Sequence, residues 1–175
     1  MKEMYKEELR DILEELPCPE TIISVQADGK KDLMTATAMW VSYDPVLVAI
    51  YIHPSRLTHS LIQQAREFVV NVCSEAQSEL AVNVGTVTGK GVDKFKKFKV
   101  KTVAPELIKS PLLADCVANY ECKVVNSFEV GNHTCFIGVV VAYRKNKKLM
   151  PLNRFRGKTY TLGQVVGNVR IAYPH

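Results

Sequence analysis

The order of strand-like segments constrains the fold of this chain most strongly. The sequence contains about seven short runs of β-branched and apolar residues, several of them joined by turn signals such as Asp28-Gly29 and Gly131-Asn132. Only a few short helices are predicted between these runs, whereas a doubly wound parallel sheet needs a helix after nearly every strand. The pattern therefore predicts a mainly β protein with a few short helices, arranged as an antiparallel barrel.

Composition limits the class of protein. The chain has 175 residues, of which 47% are hydrophobic, and this is enough for one domain (residues 1–175) with a substantial core. No uncharged apolar run approaches the roughly 20 residues that cross a bilayer. The N-terminal residues 1–16 carry both signs of charge and lack the apolar centre of a signal peptide. We therefore expect a cytoplasmic protein with no membrane contact.

The cysteines and histidines indicate neither a disulfide framework nor a metal site. The five cysteines are scattered without a Cys-x-x-Cys pair, so reduced thiols, mostly in the core, are the better interpretation. His53 and His59 are six positions apart, and no Cys/His cluster has zinc spacing. The sequence predicts no bound metal.

Other motif classes are also missing. Residues 85–91 resemble a phosphate-binding P-loop, but only three residues separate the first two glycines and Gly91 follows the lysine, where Ser or Thr is required. No Gly-x-Gly-x-x-Gly opens a helix after a strand. A lysine-rich segment without a recognised module is weak evidence for nucleic-acid binding, which we do not expect.

Two less regular parts of the chain have simple interpretations. Residues 2–16 have the apolar spacing of one helical face, and Pro17 ends that helix. Residues 86–111 contain glycines, prolines and most of the clustered lysines, with weak periodicity, so they are predicted to form an excursion from the core. Their lysines fit either a solvated face or an anion-binding loop.

Residues 33–60 hold the most informative polar groups. A small-residue segment, Thr35, Ala36, Thr37 and Ala38, lies in a predicted strand over residues 33–40. It is either ordinary strand packing or a surface against which a flat aromatic ligand lies. Farther on, Ser55, Arg56 and Thr58 precede a predicted helix over residues 58–65, with Thr58 as its N-cap. These residues provide either simple capping beside a surface arginine or donors around a phosphate.

Taken together, these stretches resemble the flavin reductase-like family of FMN-binding split-barrel proteins, which includes flavoredoxins and NAD(P)H:flavin oxidoreductases. The resemblance covers most of the chain. Its markers occur in family order: LMTATAMWVSYDPVLVAIYI (33–52), HPSRLTHSLI (53–62), EFVVNV (67–72), GVDKF (91–95) and NHTCFIGVVVAY (132–143).

The resemblance implies an antiparallel split β-barrel and a homodimer that binds one FMN per barrel. By position, Thr35, Ala36, Thr37 and Ala38 would line the flavin ring, largely through backbone groups. Ser55, Arg56 and Thr58 would bind the phosphate, together with Lys94. His133 would lie where a nicotinamide or another electron partner approaches.

The implied activity is an oxidoreductase that passes electrons from NAD(P)H through FMN to an acceptor. The alternative is a flavoredoxin-like carrier that keeps FMN tightly bound and takes electrons from a redox protein. A third interpretation is a split barrel that binds haem or another cofactor. The chain departs from the family at Lys31-Asp32, where Asn is frequent, and at Gly138-Val139, where an acidic residue often follows the glycine. Both departures concern the choice of substrate.

Overall fold

A computed structural model describes residues 6–167 of the chain. It contains four α-helices: α1 (Lys6–Glu14), α2 (Leu57–Ala65), α3 (Ser78–Thr86) and α4 (Lys94–Lys97). A 3₁₀ turn, Glu75–Gln77, leads directly into α3. The twelve strands are β1 (Cys18–Pro19), β2 (Thr21–Ala27), β3 (Lys30–Thr35), β4 (Ala38–Tyr43), β5 (Val46–Ile52), β6 (Glu67–Val72), β7 (Thr102–Val103), β8 (Leu112–Leu113), β9 (Ala118–Val130), β10 (His133–Lys145), β11 (Leu152–Phe155) and β12 (Lys158–Thr161).

The main sheet is antiparallel and curls on itself. Its seven strands have the order β3-β2-β6-β9-β10-β5-β4. The two edge strands are consecutive in the chain, with only Ala36 and Thr37 between them. A flat sheet would separate its edges by about 29 Å at the usual strand spacing, whereas three peptide steps reach at most about 10 Å. The sheet must therefore bend until its edges meet, which confirms the predicted split barrel.

The core lies on both faces of β2, because successive side chains of a strand point to opposite sides. Ile23 and Val25 belong to the cluster inside the barrel, together with Phe68 and Phe136. Ile22 belongs to a second cluster, which α3, α4 and their connections cover. Both clusters bury their apolar side chains almost completely, so β2 is covered by packed side chains on either side.

The predicted elements are largely confirmed, with differences at two places. Helix α1 is described from Lys6 and ends at Glu14, two residues before the predicted end at residue 16, and residues 2–5 of the predicted helix lie outside the described part. The predicted strand over residues 33–40 is wrong as one strand, because it breaks at Ala36 and Thr37. Ala36 still bonds to β2: the Thr21 carbonyl accepts from Ala36 N at 3.2 Å, and the Thr21 hydroxyl donates to the Ala36 carbonyl.

The predicted excursion over residues 86–111 is less remote from the core than its composition indicates. Phe95 is buried in the second cluster. The buried carboxylate of Glu121 accepts from the backbone amides of Glu106 and Leu107, both at 2.8 Å. Glu67 accepts from the amide of Lys109 at 2.7 Å. Two carboxylates on the sheet thus hold this segment in place.

The described cysteines are all free, as predicted. Four of them are buried and Cys18 is half-buried. Burial raises the pKa of the Cys116 thiol to about 11 and raises the pKa of the Cys73 and Cys122 thiols further. These thiols are therefore core side chains without thiolate character at neutral pH.

Candidate functional site

The strand break forms one wall of a cavity of about 660 Å³. This volume lies in the range of pockets that hold small molecules and cofactors. The lining residues come from the end of β3 and the β3–β4 connection, from β5 and the turn before α2, from the β9–β10 hairpin and from β11: Met34, Thr35, Ala36, Thr37, Tyr51, His53, Ser55, Arg56, Val130, His133 and Arg154.

Short side chains and fixed backbone form the wall at the strand break. The Thr35 hydroxyl donates to the Ala81 carbonyl in α3, so this hydroxyl is already used within the protein. Ala36 is fixed by its two hydrogen bonds to Thr21. With no long side chain between Thr35 and Thr37, a flat ligand can approach the backbone here closely.

A cationic group and a helix N-terminus lie at another side of the cavity. Arg56 is the N-cap residue of α2 in extended conformation, and its side chain makes no capping bond. The first N–H groups of the helix and the exposed guanidinium are therefore available to an anion. Ser55 is fixed beside Arg56, because its amide donates to His53 Nδ1 at 3.1 Å. This arrangement suits a phosphate.

Three histidines lie in or next to the cavity. The rings of His53 and His133 meet edge to face, with centroids 5.5 Å apart. His133 Nδ1 lies 2.6 Å from Asn132 Oδ1, an acceptor, which makes Nδ1 the donor of this hydrogen bond. His59 is buried behind them and bonds Thr134 Oγ1 at 2.8 Å. Burial and the nearby His53 hold the pKa of His59 below its usual value.

A buried polar cluster lies beneath the Arg56 turn. Thr58 donates to Asp32 Oδ2 at 2.6 Å, and Lys94 Nζ lies 3.1 Å from Asp32 Oδ1. Lys94 also donates to the carbonyls of Leu33 at 2.6 Å and Val84 at 3.4 Å. Each of the three charged or polar side chains is at most 3% exposed. Desolvation lowers the pKa of Lys94, against the opposing effect of Asp32.

The structure separates the residues that the sequence predicted to act together. Thr35, Ala36, Thr37, Ser55, Arg56 and His133 line the cavity. Three others do not line it: Ala38 is buried in the barrel core, and Thr58 and Lys94 are bonded to Asp32. The prediction that Thr58 caps α2 is wrong, because the N-cap is Arg56 and the Thr58 hydroxyl is bound to Asp32 instead.

Five lining residues were missed as site residues; two of them are the apolar Met34 and Val130, and the other three carry polar groups. His53 was visible in the sequence as part of the polar segment before α2, and its spacing to Ser55 hints at the bond they share. Tyr51 alternates with buried residues in β5 and carries no such signal. Arg154 reaches the cavity only because β11 pairs with β1, in the register Cys18↔Arg154, a contact across most of the chain.

The cavity fits a flavin in size and chemistry. Its wall of small residues suits the flat flavin ring, and its anion-binding corner suits a phosphate group. Among residues 6–167, no group of three or more possible metal ligands exists. In the same range, no helix is both long and apolar enough to span a bilayer.

Comparison with known proteins agrees with this geometry. The family model described as flavin reductase like domain matches residues 13–163. An uncharacterized protein of Archaeoglobus fulgidus is 35% identical over 139 residues, which are 78% of this chain and 77% of that protein. The NADH:riboflavin 5'-phosphate oxidoreductase of Streptomyces pristinaespiralis is 28% identical over 144 residues, 81% of this chain and 79% of that one.

A solved structure and a longer relative extend the comparison. The structure of flavin reductase PheA2 superposes with a TM-score of 0.78 at 31% identity and covers 92% of this chain and 100% of its own. The high molecular weight rubredoxin of Moorella thermoacetica is 32% identical over 121 residues, 68% of this chain but only 52% of that protein. This relative therefore contains a further segment that this chain does not match.

Proposed function

The chain belongs to the flavin reductase-like family, and on that premise we propose that it is an oxidoreductase that binds FMN and uses NAD(P)H as the electron donor. FMN would supply the redox chemistry, because it accepts two electrons and returns them one or two at a time. The protein would then bind and orient FMN and shield it from solvent. The cavity at the strand break is the single observation that carries this proposal.

The flavin ring would lie along the wall from Thr35 to Thr37. Its neighbour Ala38 is 8% exposed and supports this wall from the core. Hydrogen bonds between the backbone and the polar edge of the ring would fix its orientation, as the family resemblance implies. Because the Ala36 backbone is fixed on both sides by Thr21, this wall is rigid before a ligand arrives, which lowers the entropic cost of binding.

The phosphate would bind at Ser55 and Arg56. A guanidinium and a hydroxyl beside uncapped helix N–H groups form a strong anion site. In this proposal Thr58 and Lys94 have an indirect role, since each is already bound to Asp32. They would hold the first turn of α2 and the start of α4 against β3, and so position Arg56.

His133 is our candidate for the group that contacts the electron donor. Its ring is half-buried at the cavity, and its Nδ1 proton is used by Asn132. The other ring nitrogen, Nε2, would accept a hydrogen bond from the electron donor. We expect His133→Ala to retain FMN while slowing reduction, and unchanged turnover would reduce His133 to a structural role.

Anaerobic stopped-flow mixing tests the activity. The FMN-loaded protein is mixed with NADH and, separately, NADPH, and flavin absorbance is followed. Bleaching within seconds supports the enzyme. A visible spectrum recorded first identifies the cofactor. Flavin absorption bands support FMN, whereas a Soret band would show that the bound cofactor is haem.

A second function is favoured by one relative. The relative named high molecular weight rubredoxin matches this chain over 52% of its own length. In this second proposal the protein keeps FMN and takes electrons from a redox protein, which the exposed lysines of residues 90–101 would attract. Bound flavin that stays oxidised with both nicotinamides but is reduced by a reduced rubredoxin would support the carrier.

We also propose that the protein is a cytoplasmic homodimer. The edge strand β4 exposes Met39, Trp40, Val41 and Tyr43, by 51%, 42%, 50% and 59%, and such an apolar edge is normally covered. Free buried cysteines fit a reducing compartment. Light scattering of the wild type and of Val41→Asp tests the dimer, which this substitution should dissociate.

A further inference from the structure

Arg154 is a second arginine of the cavity that carries Arg56. It lies in β11, whose pairing with β1 sets Arg154 opposite Cys18. The turn that carries Arg56 and the strand that carries Arg154 are separate elements, so the two cations reach the cavity independently. FMN has one phosphate, which Arg56 and its helix terminus already serve in the proposed function.

Arg154 forms no salt bridge within 4 Å with the described residues. Its Nη2 lies 3.6 Å from Cys18 Sγ, a weak acceptor. Arg156, two residues later, instead donates to both oxygens of Glu15, at 2.8 and 2.9 Å. None of the described residues that line the cavity carries a carboxylate. The guanidinium of Arg154 therefore keeps most of its donors for a ligand.

One carboxylate does lie near Arg154, outside the cavity lining. Glu20 is 5% exposed, and burial raises its pKa while the charge of Arg154 acts in the opposite direction. Glu20 is thus a partial counter-charge behind the arginine. Glu20 is not among the residues that line the cavity.

We infer that Arg154 is an anion-binding residue for the diphosphate of an adenine dinucleotide, at the same cavity as the flavin phosphate site but distinct from Arg56. This inference rests on the proposed function. Two ligands carry that diphosphate: the nicotinamide dinucleotide and FAD. The planar guanidinium suits a diphosphate, because it donates paired hydrogen bonds to neighbouring phosphate oxygens.

The inference is tested by replacing Arg154 and Arg56, one at a time, with glutamine. Arg156→Gln is the matched control on the same chain segment as Arg154. Flavin-free protein is titrated with FMN and with FAD, and FMN-loaded oxidised protein is titrated with NAD⁺. Binding is followed by fluorescence and calorimetry, so no turnover is needed. Circular dichroism confirms that each variant is folded.

We expect Arg154→Gln to leave FMN affinity unchanged and to weaken one dinucleotide by about tenfold to a hundredfold, the range for a lost charged hydrogen bond. A loss confined to NAD⁺ identifies the donor as the ligand, and a loss confined to FAD identifies the flavin. Arg156→Gln should change none of the three affinities.

Two results would overturn the inference. Equal losses for FMN and the dinucleotides would make Arg154 part of the FMN phosphate site, and no loss in any titration would leave it without a binding role. Failure of the proposed function is distinguishable, because the wild type itself would then not bind FMN.

Discussion

Two pairs of side chains were predicted to bind the same phosphate, and the structure treats them differently. Ser55 and Arg56 are exposed at the cavity, whereas Thr58 and Lys94 are almost fully buried against Asp32. Each pair combines a hydroxyl with a cation, and Arg56 and Thr58 are only two residues apart. Residue type therefore does not separate a ligand-binding pair from a structural pair; burial and partners do.

The difference follows from the beginning of α2. Arg56 precedes the helix and points outward, while Thr58, inside the first turn, faces β3. Asp32 is the charge that Lys94 compensates, and a buried carboxylate without such a partner is very unfavourable. At the position where the chain departs from the family, Lys31-Asp32, the carboxylate of Asp32 thus balances the charge of Lys94.

The largest effect is expected from removing the buried cation. Lys94→Met leaves Asp32 buried with only the Thr58 hydroxyl, so we expect the free energy of unfolding to fall by about 3–5 kcal/mol. Chemical denaturation measures it. Lys97→Met, an exposed lysine of the same helix, is the control and should change stability by less than about 0.5 kcal/mol. A small loss of stability in Lys94→Met would contradict the structural role of the Thr58–Lys94 pair and leave it no different from the Ser55–Arg56 pair.

Removing the Thr58 hydroxyl should have a smaller effect. Thr58→Val keeps the shape but takes the hydrogen bond from Asp32 Oδ2, so we expect a loss of about 1–3 kcal/mol in the free energy of unfolding. Ser55→Ala, at the exposed pair, should leave stability nearly unchanged and weaken FMN binding instead. Reversed results would show that the assignment of the two hydroxyls is wrong.

The segment that closes over Asp32 gives a third test. A Cβ at Gly89 would lie 2.5 Å from Asp32 Oδ1, while nothing lies within 4 Å of a Cβ at Gly163. Gly89→Ala should therefore lower the free energy of unfolding by about 1–3 kcal/mol through overpacking. Gly163→Ala is the control. Equal midpoints of thermal unfolding for the two variants would contradict the close packing of this cluster.

The smallest effect is a dependence of stability on pH, from His59 next to Thr58 in α2. Its pKa in the folded state is lowered, so the unfolded state binds the proton more readily. Stability is then fully present above the unfolded-state pKa, about 6.5, and is lost as pH falls below it. Denaturation at several pH values should show a shallower loss for His59→Gln than for the wild type. Parallel curves would contradict the contribution of His59.

The sequence predicted the barrel well because its signals are local. Hairpin turns such as Gly131-Asn132 and β-branched runs determine the pairing of neighbouring strands, and β9 and β10 flank this predicted turn. The break after Thr35 was not predicted, because residues 33–40 contain no local turn signal and the backbone of Ala36 is bonded to Thr21, a residue of another strand.

The site was predicted only in part for the same reason. The resemblance identified the lining residues near the strand break and before α2, because they lie in continuous motifs. It did not indicate that Thr58 and Lys94 turn to Asp32, or that Arg154 reaches the cavity. These facts depend on contacts between residues 26 to 136 positions apart, which no local pattern encodes.

The most direct test of the account is the equilibrium binding of FMN and riboflavin, which differ only in the phosphate, to the flavin-free wild type and to Arg56→Gln. The account predicts that the wild type binds FMN at least about tenfold more tightly than riboflavin, and that the substitution removes most of this preference without changing riboflavin affinity. Equal affinities for FMN and riboflavin in the wild type, or a preference that Arg56→Gln leaves intact, would contradict it.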